Sequence, residues 1–226
     1  LAIIVILASL IAPAVLRGID LSRRVTCMSN QRQIGLGVSL YAQDHDDAKP
    51  SFYRGAVPIK PIFTSPNVKQ WDELVGLGLL IEDYVETHEV FLCQAVVPEM
   101  DNNSDRDMWL NDDLVGSSYF YEWFHAMPRN YELRTEAELE QFRQTSLLSG
   151  APAGQAMVMD VNCRYWPQYK SEVYAHRSLG TCNILFHDGH VGYFPYEEGL
   201  IAKNDKRYNL WLIWENAHRL GTAAMP

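Results

Sequence analysis

His187 and His190 bracket Asp188-Gly189 between two apolar runs, Asn183 to Phe186 and Val191 to Phe194. An Asp-Gly pair accepts the positive φ values of a two-residue type I′ turn, so a β-hairpin is expected over 183–194. The residues either side of such a turn face each other, which would put the two imidazoles about 5 Å apart. Two neutral imidazoles at that spacing can share a divalent metal. Spacing alone fixes no third ligand; His176 and Asp160 are the candidates to join His187, His190 and Asp188. Without them the pair is a solvated loop tip, which is the expectation.

The second set of reactive side chains is Cys27, Cys93, Cys163 and Cys182, an even number that allows three pairings. None forms a CxxC or CxxCH, so zinc ribbons, thioredoxin-like redox chemistry and c-type haem have no local support. Pairing Cys27 with Cys93 would staple the N-terminal helix to the rest of the chain, and Cys163 with Cys182 would bridge neighbouring strands. Two bridges would fit an oxidising compartment, each contributing on the order of 3 to 5 kcal/mol if unstrained. The alternative is four buried thiols in a reducing cell. There is no GxSxG, HExxH or Gly-rich phosphate loop, and no catalytic activity is expected. The acidic clusters at 44–47 and 101–107 supply oxygens without EF-hand spacing and read as solvated loops. A sequon at Asn102-Asn103-Ser104 matters only for an exported chain.

These groups need elements to hold them. The chain has 226 residues, 47% of them hydrophobic and 21% charged, which suits one domain carried on an extra element. A net charge of -9 leaves no general basic footprint, and no nucleic-acid partner is expected. The charge is uneven: up to Gln43 four arginines stand against Asp20, a surplus of three positive charges, so the remainder carries -12. Residues 1–16, LAIIVILASLIAPAVL, hold no charge. A bilayer span takes about 20 apolar residues. The chain lacks an initiator Met, and the expectation is that the start of this segment has been lost or trimmed; a signal-peptide remnant is the alternative. Beyond Arg17, Ile19, Val25, Ile34, Leu36, Val38 and Leu40 keep helical periodicity to about Asp44. The chain therefore divides into a helix at 1–46, apolar in 1–16 and amphipathic in 17–46, and a body at 47–226 with a C-terminal helix. Pro13 and Gly18 are expected to kink or loosen the helix between them.

In the body a helix is expected over 71–84, weakened by Gly76 and Gly78, and another from Thr135 to about Thr145 behind a Thr-Glu-Ala-Glu capping box. Strands are expected at 90–93, 117–124, 156–161 and around the Asp188-Gly189 hairpin, with a helix over 205–220. Four prolines between Ala48 and Gln70 predict a long surface loop.

The segment LAIIVILASLIAPAVLRGIDLSRRVTCMSNQRQIGLGVSLYAQDHDD resembles the N-terminal helix of type IV pilin-like proteins of the type II secretion pseudopilin class. It is most similar to the group with a prepilin-type segment and a C-terminal H-X9-DG motif. Pro13, the stretch from Cys27 to Gly35, Tyr41 to Asp46, Val90 to Cys93, Ser118 to Tyr121 and Asn183 to Val191 carry the likeness, with scattered matches from Trp71 to Tyr84. Two departures stand out. The family's mature chain begins several residues earlier, with a glutamate near its amino terminus. Here, too, eleven residues separate His176 from Asp188 rather than nine.

The resemblance implies an α+β fold, a long N-terminal helix packed on a small antiparallel sheet in a pilin-like head. It implies a structural subunit held in the inner membrane before assembly, then packed by homo-polymerisation into an extracellular or periplasmic filament, with pilus or secretion machinery as partners. Assembly would fall to Leu1, Ile3, Ile4, Val5, Ile6 and Leu7, then Leu10, Ile11, Val15 and Leu16, with Pro13 letting subunits stagger. Arg17, Arg23 and Arg24 would meet acidic surfaces of neighbours. Some secretion pseudopilins carry calcium-stabilised loops, so a calcium or other divalent ion is the one cofactor to consider. A minor pseudopilin or membrane-tethered binding domain, and a tethered metal hydrolase using His176, His187, Asp188 and His190, are the alternatives.

Overall fold

The computed structural model describes residues 2–50, 65–70, 73–74, 76–81, 83–95, 114–121, 147–160, 162–163, 173–196 and 208–223. Helix α1 runs from Ala2 to Asp44. The expected loosening at Pro13 and Gly18 is not seen as a break, because one missing amide donor interrupts a single rung of a ladder that both sides continue. The helix stops where Asp46 and Asp47 adopt φ of 52° and 66°. The Asp47 amide turns back onto the Ala42 carbonyl at 2.8 Å, while its own carbonyl accepts from Leu148. The acidic 44–47 cluster thus terminates a helix and ties it to the body.

Strands β1 (Ser65–Gln70), β2 (Glu73–Leu74), β3 (Leu114–Tyr121), β4 (Ala156–Asp160), β7 (Thr181–Phe186) and β8 (Val191–Pro195) form an antiparallel sheet in the order β2-β1-β3-β4-β7-β8. Strands β5 (Asn162–Cys163) and β6 (Val173–Tyr174) form a separate ribbon. Helix α2 spans Tyr208–Ala223. The fold is α+β, as the resemblance implies at that level.

Central strands β4 and β7 are almost wholly buried, with no inside-outside alternation. Neighbouring residues of β7 explain this. Leu185 abuts Gly35 of α1, and Phe186 abuts Gly221 of α2. Successive strand side chains point to opposite faces, so the two helices cover the two sides of the sheet. Strand β8, at the edge of the sheet among the described residues, does alternate in burial.

Gly221 shows how closely α2 approaches. A Cβ there would fall on the Gly154 carbonyl and the Phe186 ring, and the carbonyl belongs to backbone that cannot swing aside. Gly221→Ala is therefore expected to cost about 1 to 3 kcal/mol, measured as a lower midpoint in denaturant; an unchanged midpoint would show that α2 is not seated there.

Several local expectations are corrected. Ser65–Gln70 is a strand rather than loop, paired on both sides. The helix expected over 71–84 is instead strand β2 and a 3₁₀ turn, Gly76–Leu80, because Gly76 sits at φ 51°, outside the α region. Residues 90–93 are not a strand: His88–Phe91 is a 3₁₀ turn that buries Val90 and Phe91. The 135–145 helix, the 101–107 cluster with its sequon, and residues 122–124 and 161 lie outside the described residues.

Candidate assembly surface and the clamp beneath it

Among the described residues α1 is the one helix long and apolar enough to cross a membrane, and none of its most apolar window is buried. From Ile3 to Leu16 its large apolar side chains are between 52% and 73% exposed, whereas Cys27, Ile34 and Val38 are at 0%. One helix thus has two environments. The difference follows from sequence: below Arg24, Cys27, Gln31, Ile34, Val38 and Ala42 recur at spacings of four and three and make a single buried stripe. Above Arg24 apolar residues surround the axis, and among the described residues their large side chains are exposed. Leu1 lies outside the described residues.

Within one chain the three arginines expected to face neighbouring subunits have different surroundings. Arg17 is exposed. Arg23 lies 3.9 Å from Asp20 one turn back, a weak surface pair. Arg24 is used within the chain, its guanidinium 4.2 Å above the Tyr193 ring of β8.

The buried stripe is fixed by specific bonds. Cys27 is joined to Cys93 by a disulfide with Cα atoms 5.4 Å apart. One turn further, the Gln31 amide donates to Asp160 Oδ1 at 3.0 Å and to the Asn183 carbonyl at 3.2 Å. The Asn183 amide donates to Asp160 Oδ2 at 2.8 Å. Asn30 donates to the Leu92 carbonyl at 3.3 Å. Gly35 and Gly37 bring the helix within contact of Leu185 and Val85. Asp160 therefore receives hydrogen bonds from both the helix and the neighbouring strand.

His176 belongs to this cluster and not to the hairpin. It is 3% exposed, adopts φ 54°, and holds Nε2 at 3.6 Å from both Cys93 Sγ and Asp160 Oδ2. Burial raises Asp160 from its ordinary 3.8 to about 7, against hydrogen bonds from Asn183 and Gln31 that favour the carboxylate. Burial, then the charge of Arg24, lowers His176 from 6.5 to about 4.

The two shifts oppose each other in stability. Folded Asp160 holds a proton from about pH 4 to 7 that the unfolded chain has released, so its contribution falls as pH rises through that window. Folded His176 lacks a proton that the unfolded chain binds between about 4 and 6.5, so its contribution rises with pH. In the native chain they nearly cancel. Asp160→Asn removes the first and leaves the second, so relative to the native chain the variant should gain about 1 kcal/mol per pH unit between 4.5 and 6.5. Urea midpoints measured across that range test this; parallel profiles for the two proteins would contradict it.

The hairpin forms, with a different turn. The Gly189 amide donates to the Phe186 carbonyl at 2.9 Å and the Phe186 amide to the His190 carbonyl at 3.0 Å, leaving His187, Asp188 and Gly189 as a three-residue loop. Only Gly189 has positive φ, at 85°. This is a tight turn closed by a glycine bulge, which demands one left-handed residue where the expected type I′ turn demands two. His190 therefore lies opposite Phe186, its ring stacked on the phenyl at 4.3 Å, instead of facing His187. Its Nδ1 lies 2.5 Å from Asp188 Oδ1. The His187 amide donates to the Gln155 carbonyl at 2.9 Å. His176, His187, Asp188 and His190 are thus not brought together: one is in the buried clamp, the others at the loop tip. Among the described residues, the group of three or more metal-type ligands is Cys27, Cys93 and His176.

The second expected bridge is corrected as well. Cys182 carries a buried thiol, its Sγ 3.5 Å from the Asn183 carbonyl and 3.9 Å from that of Asp160. Beyond Asp160 the chain leaves the large sheet, and Cys163 pairs with Val173 in the separate ribbon while Cys182 pairs with Phe194 of β8. Gln31 and Asn183 carry no sequence signal that would have marked them. Of the buried stripe, the apolar periodicity marks Ile34 and Val38 and passes over Cys27, Gln31 and Ala42.

The chain matches no protein-family model, no curated protein and no solved structure.

Proposed function

We propose that this chain is a membrane-anchored structural subunit that assembles through the upper part of α1 into a pilin-like filament. One observation carries the reading: the apolar helix between Ile3 and Leu16 stands clear of a body that grips the same helix from Cys27 onward. At about 25 cal/mol per Å², so much apolar surface cannot rest in water. Lipid covers it before assembly, and the same helix of neighbouring subunits covers it afterwards. A head-to-tail contact of this kind, repeated without closing, builds an open helix. The sequence resemblance to pseudopilins points the same way. The rigid clamp suits a subunit that must transmit the position of its helix to its head.

A cysteine placed at Leu10 tests the packing directly. In assembled material, Leu10→Cys is expected to give a ladder of disulfide-linked oligomers on mild oxidation. A monomer alone, in material shown to be folded, would oppose helix packing and support a monomeric tethered domain.

A further inference from the structure

The buried face of α1 brings together ligand chemistry that the assembly role does not use. Cys27 Sγ, Cys93 Sγ and a ring nitrogen of His176 lie within 4.8 Å of one another, all on buried residues. Asp160, at 0% exposure, adds a carboxylate oxygen 3.6 Å from His176 Nε2. That separation is too long for a hydrogen bond. It matches the edge of a metal tetrahedron: with metal–sulfur bonds of about 2.3 Å and metal–nitrogen or –oxygen bonds of about 2.0 to 2.2 Å, nitrogen–sulfur and nitrogen–oxygen neighbours lie roughly 3.4 to 3.6 Å apart, and the two sulfurs, joined in the disulfide, would part to about 3.8 Å on reduction. Nε2 meets this spacing to both Cys93 Sγ and Asp160 Oδ2. Asp160 is also oriented from outside by Gln31 and the Asn183 amide, as ligating carboxylates generally are.

We propose that Cys27 and Cys93, once reduced, form with His176 and Asp160 a buried four-coordinate site for a soft divalent cation of the zinc type. The donor set selects the metal. Thiolate and imidazole favour zinc, whereas calcium takes six to eight oxygens and finds one carboxylate here. A phosphine cleaves the S–S bond by two-electron transfer, becoming its oxide with an oxygen from water while each sulfur takes a proton. The cation then displaces both protons as it binds the two thiolates. The oxidised and metal-bound forms exclude each other, since the same two sulfurs serve the disulfide or the cation. The site lies on the clamp and is independent of whether the upper helix polymerises.

The test uses the full chain in nonionic detergent, reduced with a water-soluble phosphine under argon and titrated with cobalt(II). One cobalt per chain is expected, with the intense visible bands of a tetrahedral ion and near-ultraviolet sulfur-to-cobalt charge transfer, all displaced by one equivalent of zinc. His176→Ala should weaken cobalt binding at least tenfold, Cys182→Ala should leave it unchanged, and the oxidised chain should bind none. Circular dichroism follows the fold throughout. If reduction loosens the chain, metal should restore the native spectrum. A reduced chain that stays folded yet binds no cobalt, one that metal fails to refold, or charge-transfer bands that persist in Cys27→Ser, would each overturn the site.

Discussion

A chain carrying both Ile6→Asp and Leu10→Asp is expected to leave the membrane fraction and to form no polymer. Each aspartate placed near the middle of an apolar span costs about 3 kcal/mol to insert. The two together, one turn apart on α1, cost on the order of 6 kcal/mol, or roughly four powers of ten in partitioning. Both positions are exposed among the described residues, so the fold below Arg24 should be intact. Membrane flotation and sedimentation read the loss; circular dichroism and the denaturation midpoint should not move. A variant that stays with membranes would show that the anchor lies elsewhere. One that unfolds would show that the upper helix supports the body.

The second large effect is expected at the clamp. The Cys27–Cys93 disulfide closes a loop of 66 residues, for which the chain-entropy relation gives about 4 kcal/mol. Cys27→Ser with Cys93→Ser should lower stability by about that amount in guanidinium unfolding of the detergent-solubilised chain. Gln31→Leu should add its own loss, because it removes the helix's bond to Asp160 and leaves that carboxyl with one donor fewer. Cys27 and Gln31 share one helix face a turn apart, so the losses are expected to be non-additive. Strict additivity would mean that the disulfide and Gln31 act independently, and a change under 1 kcal/mol in the double serine variant would mean that apolar packing alone seats the helix.

The long helix was legible because apolar residues recur at helical spacing after an uncharged 16-residue start, but not its buried face: of the residues that gave the periodicity Ile34 and Val38 are buried, while Ile19, Val25, Leu36 and Leu40 are exposed. Strand β4, the hairpin strands and α2 were legible for similar reasons, as apolar runs bounded by turn residues. The Gly76 segment was misread because leucine spacing at 74, 77, 80 and 81 suggests a helix, while one glycine in the left-handed region diverts the backbone. Val90 and Phe91 look like strand residues, but they are buried by packing a short 3₁₀ turn against α1. At the hairpin the Asp-Gly pair signalled a turn but not its length, and one extra loop residue put His190 opposite Phe186 instead of His187. The clamp joins residues up to 152 positions apart, Gln31 and Asn183. Such contacts depend on how the sheet is stacked, which no local pattern records.

What covers Ile3 to Leu16 decides between a polymer and a tethered monomer. Negative-stain electron microscopy of material sheared from the cell surface, with mass spectrometry of the polymer, addresses it most directly. Thin filaments built of this chain are expected, lost in the chain carrying Ile6→Asp and Leu10→Asp. Abundant chain in membranes, with none in any filament of native cells, would contradict the filament reading and leave a monomeric tethered domain.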